Sequence, residues 1–268
     1  MITGFANNSR GVGVRSHQLI LPSVVCSTHL SKKVADQVGA ITFSHQHGCA
    51  IIGPDVAGVN DFFVSLAGHP NVYSTLVLGL GCETLQGNEL TDSIAAKYPE
   101  TKYVVIQESP GMLGALDLSI EAARALHAKA PQAILESLTI GVEGNPQEQF
   151  LDSFQAVVAE SGHQLVISNE YKEPSRNFAQ LIRQRSHIIV SFPDANQPPT
   201  GLPLIPVVTV ANSLSPLHQV LIDDFDCSGE IAATALLAKL LSVANGEMSK
   251  SEARKIGDIV VPRMVRSV

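Results

Sequence analysis

The stretch Val72-Tyr73-Ser74-Thr75-Leu76-Val77-Leu78-Gly79-Leu80, followed directly by Gly81-Cys82-Glu83, decides how the chain is read. Its β-branched and aliphatic run is too short for a helix of ordinary length. It is apolar on both faces of a pleat, as a strand buried inside a parallel sheet must be. The Gly-Leu-Gly that ends it is a turn signal, and the polar Cys82 and Glu83 come immediately after.

Working outward from it, strands are expected at 19–25, 40–43 and 102–107, with helices at 31–38, 56–67 and 89–98. Pro99 stops the last of these. A long helix at 113–129, ended before Pro131, closes this series. A second series follows, with strands at 138–140, 164–167, 187–191 and 206–210 and helices at 147–161, 175–184 and 228–245. Ser249-x-x-Glu252 is a capping-box pattern for a short final helix. The alternation predicts an α/β protein of two Rossmann-like halves, each a mostly parallel sheet flanked by helices. The expected domains are 1–131, carrying the polar motifs, and 132–268.

Composition fits a well-packed protein: 45% of the 268 residues are apolar and 16% charged, with no Trp. A net charge of −7 argues against a nucleic-acid surface, which needs clustered Lys and Arg, but a local pair such as Arg10 and Arg15 could still hold a small anion. The sequence starts without a basic, apolar leader, and no apolar run reaches the roughly 18 residues of a membrane helix. A cytoplasmic protein with no membrane partner is therefore expected. Cys26, Cys49, Cys82 and Cys227 are too scattered for a zinc ribbon or a disulfide scaffold, so reduced thiols are expected, with Cys26 and Cys227 as small buried apolar groups.

Three polar clusters sit where strands end or loops begin, the edge at which open α/β sheets bind ligands. They are Arg10-Gly11-Val12-Gly13-Val14-Arg15 with Cys26-Ser27, His45-Gln46-His47-Gly48-Cys49, and Gly79-Leu80-Gly81-Cys82-Glu83. Imidazole, thiolate and carboxylate together would suit ferrous iron or zinc. His69-Pro70-Asn71 reads by itself as an ordinary turn. Gly11-Val12-Gly13 lacks the context of a dinucleotide fingerprint. Asp223-Asp224-Phe225-Asp226 is either a divalent-cation loop or an acidic helix cap.

In order and spacing these clusters resemble the altronate/galactarate dehydratase family, which includes the large subunit of sulfolactate sulfo-lyase. The resemblance rests on Gly4-Phe5, on Arg10 and Arg15 around Gly13-Val14, on Cys26-Ser27, on His45 with Gly48-Cys49, on His69-Pro70-Asn71 and on Gly79 to Glu83. Weaker similarity follows at 137–141, 167–170, 224–229 and 244–252. The resemblance implies a hydro-lyase (dehydratase) of carbohydrate metabolism that removes water from a small anionic hydroxy acid after taking a proton beside its carboxylate. It implies a divalent metal, ferrous iron with zinc or manganese as alternatives, at Cys49, Cys82 and Glu83. His45 and His47 would be acid and base, Arg10 and Arg15 a carboxylate clamp, and Ser27, His69 and Asn71 further substrate contacts. The family's Cys-Gly-Gly-Ser-Asp stretch is replaced here by Gly141-Val142-Glu143-Gly144-Asn145-Pro146, and the small N-terminal domain would come as a separate subunit. A homo-oligomer is expected, and so, as the alternative to an enzyme, is a sugar-acid-binding protein or a subunit of a larger lyase.

Overall fold

A computed structural model describes residues 1–220, 224–226 and 231–263. The chain divides into two compact units. One comprises residues 6–11, 16–131 and 259 onward; the other comprises 1–5, 12–15 and 132–258. The N-terminal strand explains the split of the first fifteen residues. β1 (Ile2–Ala6) pairs antiparallel with β6 (Gln132–Leu135) and also flanks β2 (Val12–Gly13) in a three-stranded sheet that the sequence pattern does not announce. Gly4 is required there, because a Cβ would lie 2.5 Å from the carbonyl oxygen of Gly13.

The first parallel sheet has the order β3-β4-β5, from β3 (His17–Pro22), β4 (Val72–Gly79) and β5 (Thr101–Val105). The expected strand at 40–43 contracts to one parallel bridge, Ile41 to Leu19, on the outer edge of β3. Beyond it the chain leaves the sheet, because the backbone N–H of His45 turns to the Thr28 hydroxyl. α1 (Thr28–Val38) and α4 (Gly111–Leu126) cover one face, packing Leu30, Val34, Ala115 and Ala123 on Ile20, Leu76 and Leu78. α2 (Pro54–Ala67) and α3 (Gly87–Ala95) pack against each other and bring Phe62, Phe63, Leu90 and Ile94 into the core. Pro54 starts α2, where its missing N–H costs nothing. With the Ile41 bridge counted as a strand, the order along the sheet is second, first, third, fourth. The connection therefore reverses direction between β3 and β4.

The second unit repeats this plan. Its five parallel strands have the order β11-β10-β9-β7-β8, from β7 (Thr139–Gly144), β8 (Gln164–Ser168), β9 (Ile188–Phe192), β10 (Val207–Ala211) and β11 (Phe225–Asp226). α5 (Glu148–Glu160) and α8 (Ala233–Ala244) pack together on the face presented by Ile140 and Val142. α6 (Pro174–Arg183) lies on the other face, with Leu181 over Gly141. α7 (Pro216–Val220) follows β10, and α9 (Lys250–Ala253) opens with the expected Ser249/Glu252 capping box. Cys227 and the expected start of α8 at Ser228 lie outside the described residues. Among the described residues, no helix is long and apolar enough to cross a membrane.

Candidate active site

At the carboxyl edge of the first sheet, three loops are stitched to one another by their backbones. The N–H of Val25, after β3, donates to the carbonyl of His47 at 3.0 Å, and the N–H of Thr84, after β4, donates to the carbonyl of Cys49 at 3.0 Å. This is the rim at the β3/β4 reversal, the edge at which open parallel sheets bind ligands. His45, His47, Cys49 and Cys82 stand on it, with the buried Ser27 hydroxyl tied to the carbonyl of Val24 at the foot of α1. Gln46 grips residues 259–261, donating to the carbonyl of Ile259 and accepting from the N–H of Val261 at 3.0 Å each.

His45 is 2% exposed and lies against Phe43 and Phe63. Burial, with the neighbouring His47 adding to it, lowers it to about 4. Its Nδ1 accepts the backbone N–H of His47 at 3.0 Å, so in the neutral ring the proton sits on Nε2. That Nε2–H is buried and has no hydrogen-bond partner among the described residues. His47, two residues on, is the reverse case: its Nε2 lies 2.9 Å from the carbonyl of Val261, which can only accept, so Nδ1 is the nitrogen left to take a proton. The two rings meet edge to face, their centroids 5.7 Å apart.

The thiols of Cys49 and Cys82 are neighbours on the rim; desolvation, then Cys49, raise Cys82. Cys26 is exposed, where a buried group was expected. Glu83 does not face the thiols. It is 2% exposed, and its oxygens accept from the Ser23 hydroxyl at 2.7 Å and from the N–H groups of Leu80 at 3.1 Å and Gly81 at 2.7 Å. Gly81 can turn its N–H inward because it adopts φ +114°. The expected donor set for a divalent metal is therefore not assembled: no group of three or more His, Cys, Asp or Glu side chains suited to a metal occurs among the described residues.

Arg10, His69 and Asn71 lie at the opposite edge. Arg10 is fully buried, bonded to the carbonyls of Ala67 at 2.7 Å and Tyr73 at 3.0 Å, paired with Glu100 at 3.0 Å and stacked over Tyr98. The Nδ1 of His69 accepts the N–H of Asn71, whose carbonyl accepts from His17. The eight residues of β4 separate these groups from Cys82 by roughly 23 Å at 3.3 Å per residue, beyond one small substrate. Arg15 belongs to the other unit, where it forks onto Glu252 at 2.8 and 3.0 Å and also holds the carbonyls of Val243 and Glu247. The expected carboxylate clamp is thus two guanidiniums spent on holding structure, because each reached internal acceptors that match its fork. Asp224 likewise accepts the N–H groups of Thr209 and Lys250.

Sequence reasoning passed over Glu143. It sits on β7 between Ser168 and Ser191 of the flanking strands, 3% exposed, accepting from Ser191 at 2.6 Å and from Asn177 at 3.3 Å. Burial raises its carboxyl, against the pull of those two bonds. A carboxylate near the end of an otherwise apolar strand was the available signal.

An open parallel sheet with a thiol- and imidazole-bearing rim at its reversal point is the class these features define. Residues 4–131, just under half of the chain, match the second domain of D-galactarate dehydratase/altronate hydrolase. It is 29% identical over 106 residues to altronate dehydratase of Escherichia coli (strain K12), covering 35% of this chain and 21% of that protein. It is 27% identical over 139 residues to altronate dehydratase of Bacillus subtilis (strain 168), covering 47% and 27%. The chain thus spans about a quarter of the length of these relatives.

Proposed function

We propose that the chain is the part of a sugar-acid dehydratase that takes the proton beside the substrate carboxylate, with a small anionic hydroxy acid as substrate. The observation that carries this reading is the complementary tautomer pair: His45 offers a buried N–H and His47 a basic nitrogen, side by side on the rim of the family-matched segment. His47 Nδ1 is the general base for the carbon-bound proton and afterwards the acid toward the departing hydroxyl. His45, neutral at pH 7, donates from Nε2 to the substrate oxygen on which negative charge builds. A neutral imidazole serves better there than a cation would, because it gains in strength only as that charge develops. Leaving such a donor unfilled costs about 1–3 kcal/mol, which a substrate oxygen recovers.

A divalent metal, ferrous iron before zinc or manganese, belongs to this reading through the family resemblance. Cys49 and Cys82 are the adjoining donors; Glu83 and His45 do not fit as ligands, so no step is drawn through the metal. Anaerobically purified protein, with and without ferrous iron, is to be tested on aldonic, aldaric and sulfonated hydroxy acids for a 2-keto product. Turnover that is lost in His47→Asn supports the assignment; turnover that survives that change sinks it. The second reading is a sugar-acid-binding protein or a subunit that works with a separate small partner. It draws on the Gly141–Pro146 replacement. Sugar-acid binding without turnover would favour it. A cytoplasmic homo-oligomer is part of the proposal and is checked by fractionation and by mass in solution.

A further inference from the structure

We infer that the second unit carries its own small-molecule site, above the carboxyl ends of β7, β9 and β10, and that it takes a neutral polyhydroxylated ligand of monosaccharide size. The inference is independent of the dehydratase reading.

Topology gives the place. From β7 the chain moves outward to β8, then crosses back over β7 to β9, so the two connections depart in opposite directions between β7 and β9. Right-handed crossovers then require α5 and α6 on opposite faces, as observed, and the loops after β7 and β9 part to leave a crevice. Gly144 lets the two strand ends approach: at φ +88° its Cβ would lie 2.1 Å from the carbonyl oxygen of Phe192. On the α6 face, on the other side of the sheet from this cavity, Glu143 ties β7 to Ser191 of β9 and to Asn177 of α6, which in turn grips Tyr171 through both its N–H and its carbonyl. The two strand ends are thus fixed from behind.

The cavity on the α5 side has a volume of about 440 Å³, within the range of small-molecule sites. Its polar lining is Asn145, Gln147, Gln149, Ser153 and Asn212, side chains that donate and accept without charge. Phe150 and Phe192 supply the apolar part, their rings at 62° and 5.8 Å between centroids. Among the described residues, no Lys, Arg, Asp or Glu lines it. A carboxylate or phosphate ligand would give up its hydration there with no cation in return. A flat apolar ligand would leave five amide and hydroxyl groups unmatched. A sugar or polyol presents hydroxyl groups to the amides and C–H edges to the aromatic corner, which is the complement of this lining.

Isotope-labelled protein is to be titrated with D-glucose, D-galactose and D-mannitol, and with D-galactonate as the anionic counterpart, following the amide resonances. Saturable shifts from at least one neutral probe, centred on residues 144–153, 192 and 212, are expected. Binding should weaken roughly tenfold or more in Asn145→Ala/Gln149→Ala, both exposed positions, with circular dichroism used to check that the double variant is folded. It should be unchanged in His47→Asn, which separates it from the rim of the first sheet. Absence of saturable shifts with all three neutral probes, equal or tighter binding of D-galactonate, or full binding by the double variant would each overturn the inference.

Discussion

The backbone N–H of His47 donates to Nδ1 of His45 over 3.0 Å, which fixes the His45 proton on Nε2 and, with burial, keeps the ring neutral down to about pH 4. In the unfolded chain the same ring titrates near 6.5. Between about pH 6.5 and 4 the unfolded state therefore binds more protons than the folded one, and stability falls as pH falls through that window. His187, lowered to about 4 by its burial, adds a second such group in the other unit. Each contributes a loss on the order of 3 kcal/mol by pH 4. Denaturation followed across this range should show the decline, and His45→Gln should remove its own share of the slope. A stability flat from pH 7 to 4 would mean that neither ring is buried as described.

Glu83 is bound by Ser23 and by two backbone N–H groups, so it is the anchor of the Gly79–Cys82 turn. Glu83→Gln should lower the unfolding free energy by about 2–3 kcal/mol, since all three donors would lose a charged acceptor and at least one would face an amide NH2 instead. Ser23→Ala should cost less, about 1 kcal/mol. Equal effects from the two substitutions would contradict an anchoring role for the charge.

How much of this was legible in sequence follows from the range of the interactions. The central strands were, because β4 is buried on both faces and its apolar run says so. The convergence of 45–49 with 82 was legible as a position after successive strands. The antiparallel pairing of β1 with β6 was not, since residues 130 apart carry no local sign of each other. Nor was the fate of Arg10 and Arg15: a guanidinium looks the same in sequence whether its fork closes on a substrate or on Glu100 and Glu252, and only tertiary contact decides.

Arg15 and Glu252 form a forked pair that also completes the α9 capping box, because Glu252 accepts the Ser249 N–H as well. Arg15→Lys keeps the charge and loses the fork, so it should destabilise by about 2–3 kcal/mol, below the 3–5 of a fully buried pair because both side chains keep some solvent contact. In any assay of turnover it should lower thermal stability while leaving KM near that of the unaltered protein. A rise in KM without loss of stability would restore Arg15 as a substrate contact.

The adjoining thiols of Cys49 and Cys82 and the inward turn of Glu83 together make a prediction about metal that neither makes alone. If a divalent ion binds on this rim, its donors include both sulfurs and exclude the Glu83 carboxylate. Cobalt(II), whose thiolate coordination absorbs in the near ultraviolet, reports this directly. The absorption should vanish in Cys49→Ala and in Cys82→Ala and should persist in Glu83→Gln, even though that last variant is the one expected to lose stability. Thiolates must be deprotonated to bind, so uptake should strengthen as pH rises, the more so because the Cys82 thiol is raised. Retention of the band in both cysteine variants, or its loss in Glu83→Gln at a temperature where that variant is folded, would place the metal on a different set of donors.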